Sequence, residues 1–208
     1  MVIPAQHAVV IVLLAAGEGR RYGGIKQLAE INGQPMVRHA ARVALGTGAP
    51  VLVVTGAHAE QVEATLDDLP LEIIRHDGWA DGIGSSLAAG IRHLHGVFPA
   101  ASAALLCLAD QPLVDTAALS RMLQRQHAAP QRILASDHAG SAGPPALFPR
   151  DCFATLMGLS GSRGAHAVLE READRVDLIS VDVEAGLDVD TAEDLALVRE
   201  RLANRSPH

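Results

Sequence analysis

The chain has 208 residues, with 17 Lys and Arg against 24 Asp and Glu, a formal charge of −7. That balance argues against a broad cationic surface of the kind that grips nucleic-acid phosphates, and against a polybasic membrane-surface binder. Apolar residues make up 49% and charged ones 20%, which is a globular composition, and only 2% aromatic content leaves no stacking platform for single-stranded nucleic acid. At this length folding hides roughly 70% of the unfolded surface, enough for one core, so residues 1–208 are read as a single domain. Cys107 and Cys152 have no CxxC or Cys/His spacing around them, so a structural zinc site is not expected. The start, Met1–His7, lacks a basic n-region and the apolar run after it is too short to span a membrane, giving a cytoplasmic expectation with no membrane partner.

Val9–Leu14 is a β-branched aliphatic run closed by glycines, the pattern of a strand buried on both faces of a parallel sheet. Gly17–Lys26 reads as a polar, glycine-rich loop and Pro35–Leu45 as a helix with proline in its first turn. Val51–Thr55 reads as a strand, Ala59–Leu66 as a helix and Leu71–His76 as a third strand. Ser85-Ser86 is placed to N-cap a helix that carries Leu87, Ile91 and Leu94 on one face. Ala103–Leu108 is another buried strand; Leu119, Met122 and Leu123 mark a helix, and Ile133–Ala135 a short strand. Ser136–Pro149 is dense in Gly and Pro and reads as loop with one short edge strand through Ala146–Phe148. Val168–Ala173 ends a helix, Val176–Val183 alternates as a strand does, and Leu195, Val198 and Leu202 define a last helix before a frayed tail at Ala203–His208. Strands and helices alternate through the first half, which implies a doubly wound, mostly parallel α/β sheet.

The richest stretch follows the first strand: Leu14, Ala15, Ala16, Gly17, Glu18, Gly19, Arg20, Arg21, Tyr22, Gly23, Gly24, Ile25, Lys26. Glycines let backbone approach a ligand and turn several N–H groups toward an anion, and such loops lie beyond the carboxyl ends of strands, where α/β sheets bind ligands. The dinucleotide fingerprint fails at Tyr22, and the Walker A pattern fails because Ile25 and Gln27 flank Lys26. What remains is a glycine turn with two cations, Arg21 and Lys26, suited to a polyphosphate; a solvated surface turn is the plainer reading. Asp110, in Leu108–Pro112 at the end of an apolar strand, is placed either to hold Mg²⁺ with phosphate oxygens or simply to make a turn before Pro112. In Asp188–Asp194, Asp190 or Thr191 caps the last helix, with Glu193 or Asp194 closing a capping box.

The loop resembles L-A-A-G-x-G-x-R-x-G-x-x-K-x-L, the signature of the molybdenum-cofactor nucleotidyltransferases within the wider NTP transferase superfamily. Leu14, Ala15, Ala16, Gly17, Gly19, Arg21, Gly23, Lys26 and Leu28 match it. The resemblance implies a Rossmann-like three-layer α/β/α fold and an enzyme that transfers CMP from CTP to a molybdopterin-type phosphate, releasing pyrophosphate. Ala15-Ala16-Gly17 resembles the cytidylyl-type members, where guanylyl-type members carry A-G-G. By the same resemblance Lys26, Arg21 and Asp110 are catalytic. The nucleotide is bound by Leu14–Gly19 (Glu18 included), Arg21, Lys26, Gly84, Ser85 and Ser86. The resemblance further implies that Asp110 and Asp190 hold Mg²⁺ and that Gly143, Pro145 and Asp188 line the acceptor side. The family's G-D-x-G-A-R is replaced by Gly161-Ser162-Arg163-Gly164-Ala165-His166, which removes an acid and a base and leaves the acceptor open. Arg163 is a candidate replacement cation. Implied partners are CTP, the phosphorylated acceptor and, transiently, a molybdenum oxidoreductase or its chaperone. Three other readings stand beside this one: a transferase acting on a sugar phosphate or small alcohol phosphate, a non-catalytic cofactor carrier or maturation factor, and a nicotinamide-binding protein.

Overall fold

Val9–Leu14 forms β1, third of seven strands in one sheet, and every residue of it is buried. The computed structural model describes residues 9–180 and 186–205. The readings made at Met1–His7, at 181–183 and at 206–208 lie outside the described residues. After β1 come a small hairpin, β2 (Glu30–Ile31) and β3 (Gln34–Pro35), then α1 (Met36–Leu45), β4 (Val51–Thr55), α2 (Ala59–Glu63) and β5 (Glu72–Arg75). The second half runs α3 (Ile83–Val97), β6 (Ala103–Leu108), α4 (Thr116–Ala128), β7 (Ile133–His138), β8 (Ser141–Pro149), α5 (Phe153–Met157), α6 (His166–Arg171), β9 (Val176–Ile179) and α7 (Ala192–Arg205). The sheet order is β5-β4-β1-β6-β8-β7-β9, parallel except for β8.

Alternation along β1 builds two cores. Val9, Ile11 and Leu13 pack with Val37 and Ala41 of α1 and with Leu119 and Met122 of α4. Val10, Val12 and Leu14 pack on the other face with Leu87, Ile91 and Leu94 of α3, Phe153 and Leu156 of α5, and Val168 and Leu169 of α6. Helices on both faces of a mostly parallel sheet make a three-layer α/β/α fold, the architecture that the resemblance implies. Gly90 lets α3 settle close to the sheet, since a Cβ there would lie 2.9 Å from Val54 and 3.0 Å from Val12. A third cluster, Ile31, Met36, Leu113, Val189, Leu195 and Val198, docks α7 across the β2–β3 hairpin.

The chain winds from β1 to β4 and β5 on one side, then crosses to β6 on the other. Leu14 is in register with both Val54 and Leu108, so the segments leaving β1 and β6 emerge side by side at the switch point, where such sheets bind ligands.

Several elements differ from the sequence reading. The stretch expected as loop with a short edge strand is β8, nine residues long and interior, with β6 and β7 as partners. Pro144 and Pro145 lack amide donors and sit in a bulge: Ala135 pairs Ala146, and Ser136 pairs Gly143. β7 likewise extends to His138, beyond the expected end at Ala135. α3 starts at Ile83 after Gly82, whose φ is 99°, with no side-chain cap. Ser85 and Ser86 are therefore not its N-cap; the Ser85 hydroxyl lies 2.9 Å from the carbonyls of both Gly78 and Gly82, bracing the preceding turn. α2 ends at Glu63, short of Leu66, and α7 continues helical through Arg205, into the segment expected to fray.

Candidate active site

Where the glycine loop leaves β1, the carbonyl oxygens of Leu14 to Gly17 are occupied. The Leu14 carbonyl accepts from the Ala109 amide at 3.0 Å and that of Ala16 from the Ala57 amide at 3.0 Å. The carbonyls of Ala15 and Gly17 accept from the Gln27 side chain at 3.1 and 2.5 Å. Gly19 turns the chain with φ of 73°, a conformation that favours glycine. The backbone amides from Gly17 to Arg21 have no acceptor among the described residues. Gly17 to Arg20 border a cleft of about 360 Å³ that Lys26, Trp79, Ser86 and Asp110 also line, and Arg21 lies outside that lining. Unpaired amides in a glycine turn are the donors from which anion sites are made.

Beside the amides stands a cluster of charge. Lys26 Nζ donates to Asp110 Oδ2 at 2.6 Å and to Asp190 Oδ1 at 3.2 Å, while Arg21 reaches the other oxygen of Asp190 at 2.7 Å. Asp110 comes from the turn after β6. Asp190 comes from the far end of the chain, and the Val189 amide donates to the Asp110 carbonyl at 2.9 Å, which holds the two segments together. Thr191 and Asp194 form the capping box: the Asp194 amide donates to Thr191 Oγ1 at 3.2 Å, and Asp194 Oδ2 accepts from the Thr191 amide at 2.8 Å. Capping thus falls to Thr191, and the Asp190 carboxylate faces Lys26 and Arg21.

Burial acts to lower the Lys26 pKa, but the charge of Asp110 and the hydrogen bonds to Asp110 and Asp190 outweigh it, so the pKa is raised and the ammonium stays charged. Asp188 reaches solvent on one side, yet the protein around its carboxyl withdraws enough water to push its pKa up. The charge of Asp110 pushes the same way, and a hydrogen bond with Gln111 partly offsets both.

The structure distributes the remaining sequence candidates unevenly. Ser86 lines the cleft, whereas Gly84 packs against Ser160, where a Cβ would come within 2.6 Å of that carbonyl, and Ser85 faces the 78–82 turn. Glu18 pairs with Arg20 at 2.6 Å. Gly143 lines a neighbouring cavity of about 180 Å³ with Leu87, Leu108, Arg163 and His166, while Pro145 lines a small void on the opposite face of the sheet. The Pro144–Pro145 bulge separates these two acceptor-side candidates. Arg163 and His166 both pair with Glu170, so the candidate replacement cation already has a carboxylate.

Trp79 and Gln27 line the cleft and were not picked out by the sequence reading. Trp79 sits beside Ala16 because residue 56 is glycine: a Cβ there would lie 2.7 Å from the Trp79 Cβ and 2.9 Å from that of Ala16. Its signal was available, since it is the sole tryptophan and lies three residues before Gly82.

Asp110 and Asp190 suit a magnesium ion. Both already converge on one positive charge, the Lys26 ammonium, and both offer the hard oxygens that Mg²⁺ prefers. Among the described residues no group of three or more His, Cys, Asp or Glu is arranged to hold a metal unaided. One or two carboxylates completed by phosphate oxygens and water is the usual Mg²⁺ arrangement.

Free amides with a lysine beside them that two carboxylates hold can take a triphosphate by its anionic end and steady charge as pyrophosphate departs. The fold and the site define an NTP-dependent nucleotidyltransferase. The chain belongs to the MobA-like NTP transferase domain family, whose sequence model matches residues 11–176. A relative from Paenarthrobacter nicotinovorans, nicotine blue oxidoreductase, is 33% identical over 195 residues, covering 88% of this chain and 93% of that one. The crystal structure of Rv0371c from Mycobacterium tuberculosis H37Rv superposes with a TM-score of 0.83 at 28% identity, covering 94% of this chain and 98% of that one. A structure of Rv0371c in complex with manganese superposes at 0.77 with 27% identity, covering 93% and 98%. Among the described residues no helix is long and apolar enough to cross a membrane.

Proposed function

We propose that the protein transfers CMP from CTP to the terminal phosphate of a molybdopterin-type cofactor. The observation that carries the transfer is Lys26, poised between Asp110 and Asp190 beside the unpaired amides of Gly17–Arg21. The choice of CTP is supported by Ala16, which lines the cleft together with Trp79 and carries a methyl group where glycine would carry none. A pyrimidine fits such a wall with less crowding than a purine.

In this reading the loop amides and Arg21 hold the β- and γ-phosphates, and Lys26 turns from the carboxylates to the α-phosphate. Asp110 and Asp190 would hold Mg²⁺, which supplies positive charge to the phosphate oxygens when bound. The manganese complex of Rv0371c supports a divalent ion in this family. An oxygen of the acceptor phosphate attacks the α-phosphorus, the bond from that phosphorus to the bridging oxygen breaks, and its electron pair leaves with pyrophosphate. A phosphate is already an anionic nucleophile near neutral pH, so the residues need only position it and balance charge; no general base is required. Asp188 and Gly143 border the acceptor's approach, and Ser162 and His166 would adjust which acceptor is taken. A molybdenum oxidoreductase or its chaperone would receive the product.

The test gives purified protein and Mg²⁺ each nucleoside triphosphate with molybdopterin-type acceptor and follows pyrophosphate. Release with CTP above all others is the expected result. Release only with sugar or small alcohol phosphates would reassign the acceptor. Cofactor binding with no pyrophosphate from any nucleotide would make the protein a carrier. Because one relative is named an oxidoreductase, NADH and NADPH are included, and their oxidation without pyrophosphate release would overturn the transferase reading.

A further inference from the structure

We propose that Gln27 is a positioning residue that shapes the triphosphate cradle, an inference that rests on reading the glycine loop as the phosphate site. A peptide segment can present its N–H groups to an anion only if its carbonyls are turned elsewhere, because a carbonyl oxygen facing phosphate repels it. Four consecutive carbonyls, Leu14 to Gly17, are turned and held. Neighbouring backbone amides hold those of Leu14 and Ala16. The other two, Ala15 and Gly17, are held by one side chain, since the Gln27 amide donates one proton to each. Both neighbours are acceptors, which fixes the orientation of the amide group.

The sequence accepts a cost to place glutamine here. Gln27 is 3% exposed, and its Oε1 has no hydrogen-bond partner among the described residues. An unpaired buried acceptor disfavours the folded state, and an apolar side chain of similar length would avoid it. What such a side chain could not do is donate twice into the loop.

Position adds to the argument. Gln27 shares the single 3₁₀ turn Lys26–Leu28 with the lysine that meets Asp110 and Asp190. The loop folds onto this turn so closely that a Cβ at Gly19 would lie 3.2 Å from Lys26 Cγ. Gln27 thereby ties the amide cradle to the turn that carries the cation, setting where the phosphates lie relative to Lys26.

The experiment titrates inorganic tripolyphosphate into the full chain by calorimetry, for wild type and Gln27→Met, which keeps length and removes both donors. The wild type should bind, and the variant should bind about tenfold more weakly while melting at nearly the same temperature, as expected for two lost modest hydrogen bonds. In turnover the variant should raise KM for the nucleotide more than it lowers kcat. A merely structural role would lower the melting temperature and leave the affinity of the folded fraction alone. Unchanged tripolyphosphate affinity in the folded variant would overturn the proposal. Failure of the wild type to bind would overturn the phosphate-site reading itself, and this proposal with it. A measurement on the wild type covers a variant that does not fold: by NMR the Gln27 side-chain NH₂ protons should exchange slowly with solvent. Exchange as fast as that of a free glutamine amide would equally sink the idea.

Discussion

Lys26 holds the position of a cation between two carboxylates, with its side chain 12% exposed. Its raised pKa keeps it charged through neutral pH and beyond, against the pull of burial. In the proposed mechanism ammonium and magnesium would compete for the same oxygens, and the lysine would yield when a metal–nucleotide complex arrives. Lys26→Met should fold normally and lose turnover by roughly 10²–10³, the scale for removing one charged group aimed at a transition state. The same variant should bind Mg²⁺ in the absence of nucleotide about tenfold more tightly, since about 1.4 kcal/mol of charge competition is removed. Calorimetry with MgCl₂ reads this directly. Weaker magnesium binding by the variant would mean that Asp110 and Asp190 are not the metal's carboxylates. Lys26 was legible from the spacing of the glycine loop, and Asp110 and Asp190 from the resemblance to the family motif. Gln27 was not, because its role depends on which carbonyls fold back onto it, and nothing local in the sequence states that.

At the scale of elements, legibility followed burial. β1, β4 and β6 stood out because strands covered on both faces must be continuously aliphatic. β8 did not, because Gly143, Pro144 and Pro145 are turn-formers by local preference, and the strand continues through them only because the residues on either side pair with β7 and, beyond Pro145, with β6 as well. The start of α3 was misplaced for a similar reason: Gly82 and the 160–161 backbone fix it, with the Gly84 amide donating to the Gly161 carbonyl at 2.9 Å, so no serine cap is needed. A contact between elements also carries a pH signature. Arg38 of α1 makes a two-pronged pair with Asp68, which follows α2, at 2.5 and 2.8 Å, and also donates to the Thr65 carbonyl at 2.8 Å. Hydrogen bonds from Arg38 hold the Asp68 carboxyl down to about 2. A carboxylate with a depressed pKa adds stability above its unfolded pKa of about 3.9 and loses it as pH falls through the folded value. Asp68→Asn should therefore melt slightly below wild type at pH 6, and the gap should close between pH of about 4 and 2 in thermal melts followed by circular dichroism. The effect is small because the pair is exposed. A gap that persists undiminished at pH 2 would assign it to packing.

Across the whole molecule, the site is assembled from both ends of the chain. The family's sequence model ends at residue 176, yet Asp190, one of the two carboxylates on Lys26, lies beyond it. Its position depends on the third core cluster, in which Leu195 and Val198 of α7 pack with Ile31, Met36 and Leu113, and on the backbone bond from Val189 to Asp110. The two main cores lie on the faces of the sheet and use other residues. Loosening the third cluster should consequently impair catalysis before it unfolds the sheet. Leu195, 5% exposed, is the lever. Leu195→Ala should weaken the docking of α7 by about 2–5 kcal/mol, the usual cost of emptying a buried leucine site. Hydrogen exchange should then rise along α7 and remain slow in β1 and β6, because local opening need not spread to the rest of a fold. Turnover should fall together with α7 protection as temperature rises, and added Mg²⁺ should restore part of both by binding the docked state, in which Asp110 and Asp190 meet at Lys26. Full turnover in a variant whose α7 exchanges freely would show that Asp190 is dispensable and that Asp110 alone serves the reaction.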